Sequence, residues 1–511
     1  MNARIVIAAL LFSACGHTRA ADPSAAPQPW LAETAPPTPT PAPTPTPTPT
    51  PSPSPSLPRV AKDAEIPGEG AAHPFALPRP ERARLSSGAE LLLVRRPRLP
   101  LVSLYIVWPV GAADEAMDRA GLASLTADLL SEGAGKRTAL EIAAELQQIG
   151  ARMGTFASWD ATSISITALT RSLDDALAIF GDVALRPRFE SAEVERLRKH
   201  AQTALLQIAD QASTQAALTG GRAIYGTGHR YGALAQGTNA GLAAITRNEI
   251  VAWHEAQLPI SRATIIAVGD VEMRTLRPRL EKLFGGKRAA PVTRTTVVRA
   301  APPPTAQRVL LVDKPGASQT EMRVYLAGPP RATPDYFPLL VLNTIFGGNF
   351  SSRLNSKLRE EKGYTYGARS EFAFRREGGP FTAGAPVKTA VTRLALVDLR
   401  AELRRLADGA FADAELMPAK QTLQRSLAAS FETPPEVARA LAVLRVYGLP
   451  DDYFASYAQN IEAVTTADLK RVAASIRPEQ MTVVLVGDEK TIGEEIRKEL
   501  GSYEKIGLPD K

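Results

Sequence analysis

One segment of the sequence places an arginine and a tyrosine where both could donate hydrogen bonds to one group. Residues 347–372, GGNFSSRLNSKLREEKGYTYGARSEF, predict a helix, a turn at Gly363 and a strand, with Arg359 in the last helical turn and Tyr366 at the start of the strand. A guanidinium and a phenol on either side of a tight turn can converge on a peptide carbonyl or a developing oxyanion. The alternative, which physical chemistry alone favours, is an arginine that interacts with the helix dipole and an ordinary strand tyrosine.

The histidines do not form a pattern that predicts a metal site. None of the five lies within a helical turn of another, so no two share a helix face. A zinc hydrolase needs three protein ligands and a water, which this spacing does not supply. A G-x-S-x-G nucleophile motif and a phosphate-binding glycine loop are also absent from the sequence.

Composition narrows the class of protein. The chain has 511 residues, 44% hydrophobic and 22% charged, which is enough apolar material for a large folded core. Its net charge of +7 is spread along the chain in runs of mixed sign. No basic block with interleaved aromatic residues occurs, so we expect no nucleic-acid partner.

The first residues predict a secretory signal. A basic residue, a short apolar run and small residues lead to Cys15, the only cysteine. The sequence FSAC resembles a bacterial lipoprotein signal, in which the cysteine becomes the lipidated first residue of the mature protein. This predicts a signal peptide at 1–14 and a protein held on the periplasmic side of the outer membrane. The alternative is cleavage near Ala20 or Ala21, which would give a soluble periplasmic protein.

The rest of the chain divides by composition. Residues 15–79 are rich in proline and threonine and predict a disordered, extended tether. Two folded regions follow at 80–286 and 307–505, and the proline-containing segment 287–306 between them predicts a linker. The tether carries no chemistry of its own.

The two folded regions repeat each other. Thr246 begins a predicted helix that leads to a strand ending in AVGD, and Thr465 begins one that leads to LVGD after almost the same distance. Strands LVSLYIVWPVG and QTEMRVYLAGPP are each followed by an apolar helix. The pattern predicts two α+β units related by duplication.

The segment SSRLNSKLREEKGYTYG resembles the second-domain signature of the pitrilysin/insulinase class of zinc peptidases, peptidase family M16. The resemblance extends over residues 80–500 and includes the duplicated halves, the closing VGD strands and YGTGHRYG. It implies two duplicated M16-type α+β domains, each a mixed or antiparallel sheet covered by helices. It also implies that Arg359 and Tyr366 bind the backbone of a substrate.

The same resemblance shows what the sequence lacks. In the family, a His-x-x-Glu-His zinc motif follows a glycine-leucine-alanine step, here residues 121–123. The motif positions are Ser124, Ala127 and Asp128, so both ligand histidines and the catalytic glutamate are missing. The family's third ligand is a glutamate on a later helix, and residues 200–208 contain none. We therefore expect a chain that is inactive alone and binds no cofactor.

Family resemblance also implies a partner. Members pair as two chains, one with the zinc helix and one with the arginine and tyrosine, so we expect zinc in an M16 partner subunit that carries His-x-x-Glu-His. An extended peptide or unfolded protein would add to an edge strand. That strand is predicted at Gly154, Thr155, Phe156, Ala157 and Ser158. Self-association, and a non-hydrolytic peptide-binding or structural chamber in the cell envelope, stay open as alternatives.

Overall fold

Two α+β halves with similar strand topology make up the structure, a computed structural model that describes residues 79–286 and 306–507. The predicted signal peptide 1–14, Cys15 and the segments 15–79 and 287–306 lie outside the described residues, apart from residues 79 and 306. None of the helices in the described ranges is long and apolar enough to cross a membrane.

The first half is built on a six-stranded sheet in the order β1-β2-β6-β3-β5-β4. Its strands are β1 Glu81–Arg84, β2 Glu90–Arg95, β3 Leu101–Trp108, β4 Arg152–Ala157, β5 Thr162–Leu169 and β6 Thr264–Gly269. Its helices are α1 Leu122–Leu129, α2 Ala139–Gln148, α3 Leu173–Leu185, α4 Ser191–Ala209, α5 Ala212–Tyr225, α6 Asn239–Ala244, α7 Arg247–Gln257 and α8 Met273–Phe284.

The second half has a six-stranded sheet in the order β12-β7-β11-β8-β10-β9. Its strands are β7 Arg308–Asp313, β8 Gln319–Ala327, β9 Arg369–Phe372, β10 Pro380–Lys388, β11 Thr482–Gly487 and β12 Glu504–Ile506. Its helices are α9 Tyr336–Asn343, α10 Arg353–Asn355, α11 Thr392–Ala407, α12 Asp413–Ala429, α13 Pro434–Val446, α14 Tyr453–Ala463, α15 Thr466–Ala473 and α16 Glu489–Leu500. A π-helical turn, Ser356–Glu361, continues α10.

Five strands of each sheet correspond, which confirms the predicted duplication and α+β class. In both halves a central strand, β6 or β11, runs parallel to one neighbour and antiparallel to the other. Both central strands are buried along their whole length, which explains their near-continuous runs of Val, Ile and Leu. The helix before each one begins at a threonine cap, Thr246 or Thr465, whose hydroxyl accepts a backbone N–H.

Each half packs one of its helices onto the sheet of the other half. Helix α5 of the first half packs on β8 and β11 of the second sheet, and α13 of the second half packs on β3 and β6 of the first. The contact of α5 needs a glycine: a Cβ at Gly220 would lie 2.5 Å from the ring of Tyr325. Each sheet therefore buries one face under a helix of the other half.

Candidate functional site

Helix α1 carries Ser124, Ala127 and Asp128, the positions at which the sequence resemblance predicts the family's zinc motif. It begins after Gly121, whose φ of 111° favours glycine, and it buries Leu122, Leu125 and Leu129 in the core of the first half. Ser124 and Asp128 lie four residues apart, so they share the helix face that is not in the core. The helix retains its packing residues, while its outer face has no metal ligand set.

A buried ion pair holds the start of α1. The Glu115 carboxylate accepts hydrogen bonds from the backbone N–H groups of Gly121, at 2.8 Å, and Ala123, at 2.7 Å. The Arg230 guanidinium lies 2.6 Å from the same carboxylate, and both side chains are buried. Burial raises the pKa of Glu115, whereas Arg230 and the two amides act in the opposite direction. Arg230 also donates to the carbonyls of Leu234 and Ala235, at 2.6 and 3.0 Å.

The residues of α1 do not fit a zinc ion. The Ser124 hydroxyl donates to the carbonyl of Ala235 at 3.2 Å, and Ala127 is a buried methyl group. Asp128 offers one carboxylate, whereas zinc sites use three or four protein ligands. Across residues 79–286 and 306–507, no three His, Cys, Asp or Glu side chains cluster so as to hold a metal ion.

Asp128 has an unusual electrostatic environment. Its carboxylate reaches solvent, but protein surrounds much of it, and burial followed by the nearby charge of Glu132 raises the pKa of Asp128 to about 6. Glu132 is itself paired with Arg196 at 2.6 Å. The outer face of α1 thus carries a carboxylate that gains a proton in mildly acidic solution.

Arg359 lies in the π-helical turn that continues α10, which is the last helical turn of this segment, as the sequence predicted. Gly363 ends this helix, because its backbone adopts the left-handed conformation with φ of 63°, which favours glycine. The Arg359 guanidinium stacks over the ring of Phe350, 4.4 Å from its centroid, and is 3.3 Å from the carboxylate of its neighbour Glu360. Phe350 is itself 64% exposed.

The prediction that Tyr366 begins a strand is wrong. Strand β9 begins at Arg369, where pairing with β10 starts, and Tyr366 lies in the preceding bend. The cause is local: the Thr365 hydroxyl accepts the Gly367 N–H at 3.1 Å, which turns the chain before it can pair. Tyr366 is 88% exposed there. Among the described residues, its hydroxyl makes no hydrogen bond, either to Arg359 or to the first half.

Asn355 ties the flanks of this segment together, and sequence reasoning did not single it out. Its side-chain N–H donates to the carbonyl of Phe350 at 2.7 Å, and its side-chain oxygen accepts the N–H of Ala368 at 3.0 Å. The residue is buried, so both bonds are protected from water. One amide thus fixes the chain on both sides of Arg359, near Phe350 and near Tyr366.

Most of the predicted peptide-binding strand lies at the edge of the first sheet. Gly154, Thr155, Phe156 and Ala157 belong to β4, which pairs with β5 on one side and with no described strand on the other. Ser158 is not part of this strand, because its N–H bonds the Ala161 carbonyl at 2.7 Å in the turn to β5. Helix α1 packs against β4, so the open edge runs beside the altered motif.

Comparison with known families covers both halves. Residues 91–224 match the model described as insulinase, peptidase family M16, and residues 244–423 match the model described as the peptidase M16 inactive domain. The chain belongs to peptidase family M16. Its Arg359 and Tyr366 fall inside the second match, and its altered motif positions fall inside the first.

Relatives and solved structures agree with this family. An uncharacterized zinc protease of Mycobacterium tuberculosis is 26% identical over 376 residues, 72% of this M16 chain and 84% of the relative. The peptidase M16 inactive domain from Pseudomonas fluorescens shares the fold with a TM-score of 0.73 at 23% identity, covering 80% of this chain and 98% of that one. The periplasmic protease PqqL from Escherichia coli gives a TM-score of 0.67 at 15% identity, covering 82% of this chain and 49% of that one.

The M16 chain therefore keeps the family fold without the family's metal-binding sequence. No His-x-x-Glu-His occurs anywhere in its 511 residues. It is an M16 peptidase homologue.

Proposed function

We propose that this M16 chain is the non-catalytic subunit of a heterodimeric zinc metallopeptidase that binds and helps cleave extended peptides. The observation that carries the proposal is the exposure of Tyr366, together with the half-buried Arg359, in a chain whose α1 offers no ligand set. A tyrosine that is 88% exposed and has no hydrogen-bond partner in the described part of the chain contributes little to the stability of this subunit alone.

The chemistry of the two side chains suits a supporting role. A guanidinium and a phenol both donate hydrogen bonds, and donors aimed at a scissile carbonyl stabilise the negative charge that develops on its oxygen. The stack on Phe350 limits the positions available to the Arg359 guanidinium before substrate arrives. The partner subunit would supply the zinc and the activated water.

One surface of the chain suits binding of the partner subunit, and another suits binding of the peptide substrate. Phe350 and Tyr366 are large aromatic side chains left in solvent within one short segment, and aromatic residues are enriched at interfaces. The outer edge of β4 offers unpaired backbone groups to an extended peptide. Because α1 lies against β4, a peptide bound at this edge would lie beside a helix that has no zinc ligands.

The proposed location is the periplasmic side of the outer membrane, with Cys15 as the lipid anchor. Support comes from the signal-like sequence that ends at Cys15 and from the fold shared with a periplasmic protease. Mass spectrometry of the mature N-terminus distinguishes the two possibilities. A lipid-modified Cys15 agrees with an anchor, whereas an unmodified end near Ala21 would indicate a protein released into the periplasm.

The experiment that tests the function mixes this chain with an M16 chain that carries His-x-x-Glu-His, encoded beside it if such a neighbour exists. We expect peptidase activity only in the mixture. Arg359→Ala and Tyr366→Phe should each lower kcat/KM of the mixture by about 10²-fold, the effect typical of losing a donor to a developing oxyanion. Arg274→Ala, at an exposed arginine of α8, is the matched control and should leave activity unchanged.

The outcomes separate the proposal from its alternatives. Unchanged activity in both motif variants would contradict the role assigned to Arg359 and Tyr366. Peptide binding without hydrolysis in every mixture would instead favour a non-hydrolytic peptide-binding chamber. Activity of this chain alone would overturn both.

A further inference from the structure

A cavity of about 450 Å³ lies between the two halves, apart from Arg359 and Tyr366. Its walls come from the β4–β5 turn, helix α5 and strands β8 and β9. Its volume falls within the range of about 300–1,000 Å³ that is usual for small-molecule sites. Its polar and aromatic lining includes Trp159, Tyr231, Arg323, Arg331, Glu371 and Arg375.

Arg375 is the unusual member of this cavity. Its guanidinium stacks over Trp159 and Tyr231, 4.2 and 4.5 Å from their ring centroids. In the part of the chain that the structure describes, it forms no hydrogen bond and no ion pair. Burial lowers its pKa, which reflects the cost of removing a charge from water. Asp160 and Glu371 lie near enough to act on its charge, but neither binds it directly, so its N–H donors are available to an anionic ligand.

The other two arginines of the cavity are already engaged. Arg323 lies 2.5 Å from the carboxylate of Glu321. Arg331 donates to the hydroxyl of Tyr453 at 2.7 Å and stacks over Tyr336. Arg323 is thus neutralised by a carboxylate and Arg331 is held in place by two tyrosines, whereas the donors of Arg375 are not engaged by a hydrogen bond among the described residues.

A second polar group lies in the same wall. Tyr231 is 4% exposed, and its hydroxyl makes no hydrogen bond of ordinary geometry among the described residues, although the backbone N–H of Glu377 lies close enough to act on its pKa. The hydroxyl proton has no acceptor in the described part of the chain, so it can be donated to a ligand oxygen. Its ring contacts the Arg375 guanidinium, which places both groups in the same wall of the cavity.

Two carboxylates face the same space, and neither neutralises Arg375 by direct contact. Asp160 accepts the Tyr447 hydroxyl and the Arg376 N–H, both at 3.1 Å. Burial raises the pKa of Glu371, while Arg375 and Arg323 act against that rise.

We propose that this cavity binds a carboxylate-bearing ligand with an aromatic or apolar body, whose carboxylate is held by Arg375 and the Tyr231 hydroxyl. The flat body would lie against Trp159 and the neighbouring rings of Phe372 and Phe374, which also line the cavity. Two sources share this chemistry: the free carboxyl terminus of a peptide and a small aromatic acid. The site needs no catalytic partner, so it stands or falls independently of the heterodimer.

The experiment titrates N-acetyl-phenylalanine into the full chain by calorimetry and compares it with its uncharged amide. The acid should bind about tenfold or more tightly than the amide, because a charge-assisted hydrogen bond is lost in the amide. Tryptophan fluorescence gives a second readout, since Trp159 lies under Arg375. A blocked tetrapeptide ending in phenylalanine separates the sources: tighter binding than the acid favours a peptide terminus, and weaker binding favours a small acid.

Two variants test the assigned residues. Arg375→Gln should weaken binding of the acid about tenfold or more, because it removes the charge that holds the ligand carboxylate. Tyr231→Phe should weaken binding and change the thermal midpoint little, because the hydroxyl makes no hydrogen bond of ordinary geometry in the free protein. Arg375→Lys keeps the charge and should recover part of the affinity.

Several results would overturn the proposal. Equal affinity for the acid and the amide would remove the role of the carboxylate. Equally tight binding of inorganic phosphate would remove the role of the aromatic body. Unchanged affinity in both Arg375→Gln and Tyr231→Phe, with a lowered thermal midpoint, would identify the two residues as structural.

Discussion

The Arg230 guanidinium lies 2.6 Å from the Glu115 carboxylate, and this buried pair holds the N-terminus of α1. The two residues are far apart in sequence, and neither could hold a metal in this arrangement. The pair therefore fixes the position of a helix whose residues offer no zinc ligand set. A helix that is held in position but has no zinc ligands agrees with the proposed role of a non-catalytic subunit, which would contribute its fold and not a metal site.

Breaking that pair should be costly. Arg230→Met leaves the Glu115 carboxylate buried without its counter-charge, and we expect the free energy of unfolding to fall by about 3–5 kcal/mol in urea denaturation. The control Arg274→Met breaks an exposed pair with Glu272 and should leave the unfolding midpoint unchanged. Equal losses in both variants would show that Glu115 is not held as described.

Asp128 should make stability depend on pH. Its pKa in the folded chain is raised to about 6 from an ordinary 3.8, so the protonated form favours folding. That contribution is complete below about pH 4 and is lost as the pH rises through about 6. Asp128→Asn cannot ionise, so it should match the original chain in acid and exceed its stability at neutral pH. The gain should be about 1 kcal/mol at most, because solvent screens an exposed carboxylate. A difference that does not vary with pH would contradict this reading.

The exchanged helix α5 should tolerate no side chain at Gly220. Gly220→Ala places a methyl group 2.5 Å from the Tyr325 ring, and overpacking of this kind costs about 1–3 kcal/mol. Alanine's better helix propensity offsets up to about 1 kcal/mol, so the net change should be a loss of stability. Gly228→Ala is the matched control, because a Cβ there meets no atom within 4 Å. Equal stability of the two variants would mean that α5 is not packed on the second sheet as the structure has it.

Local patterns predicted the elements of the fold well. The threonine caps and the two VGD strands identified the duplication, because a capped helix and a fully buried strand leave strong local signals. The leucine spacing likewise identified α1 as a packing helix. The resemblance then assigned the altered positions Ser124, Ala127 and Asp128 to it.

Relationships between distant residues could not be predicted in this way. Nothing in the sequence around Glu115 indicates that its partner is Arg230, since that pairing exists only once the helices and loops have packed. The cavity around Arg375 depends on the exchange of α5 and α13 between halves, which is a property of the tertiary fold. The strand start near Tyr366 was misjudged because a single side-chain turn at Thr365 outweighed the strand-like pattern.

The central claim is that this chain completes a zinc peptidase without binding zinc itself. Elemental mass spectrometry of the purified chain, and of its equimolar complex with an M16 partner carrying His-x-x-Glu-His, tests it most directly. We expect no stoichiometric zinc in the chain alone and one zinc per heterodimer. One zinc per molecule of this chain in the absence of a partner would contradict the account.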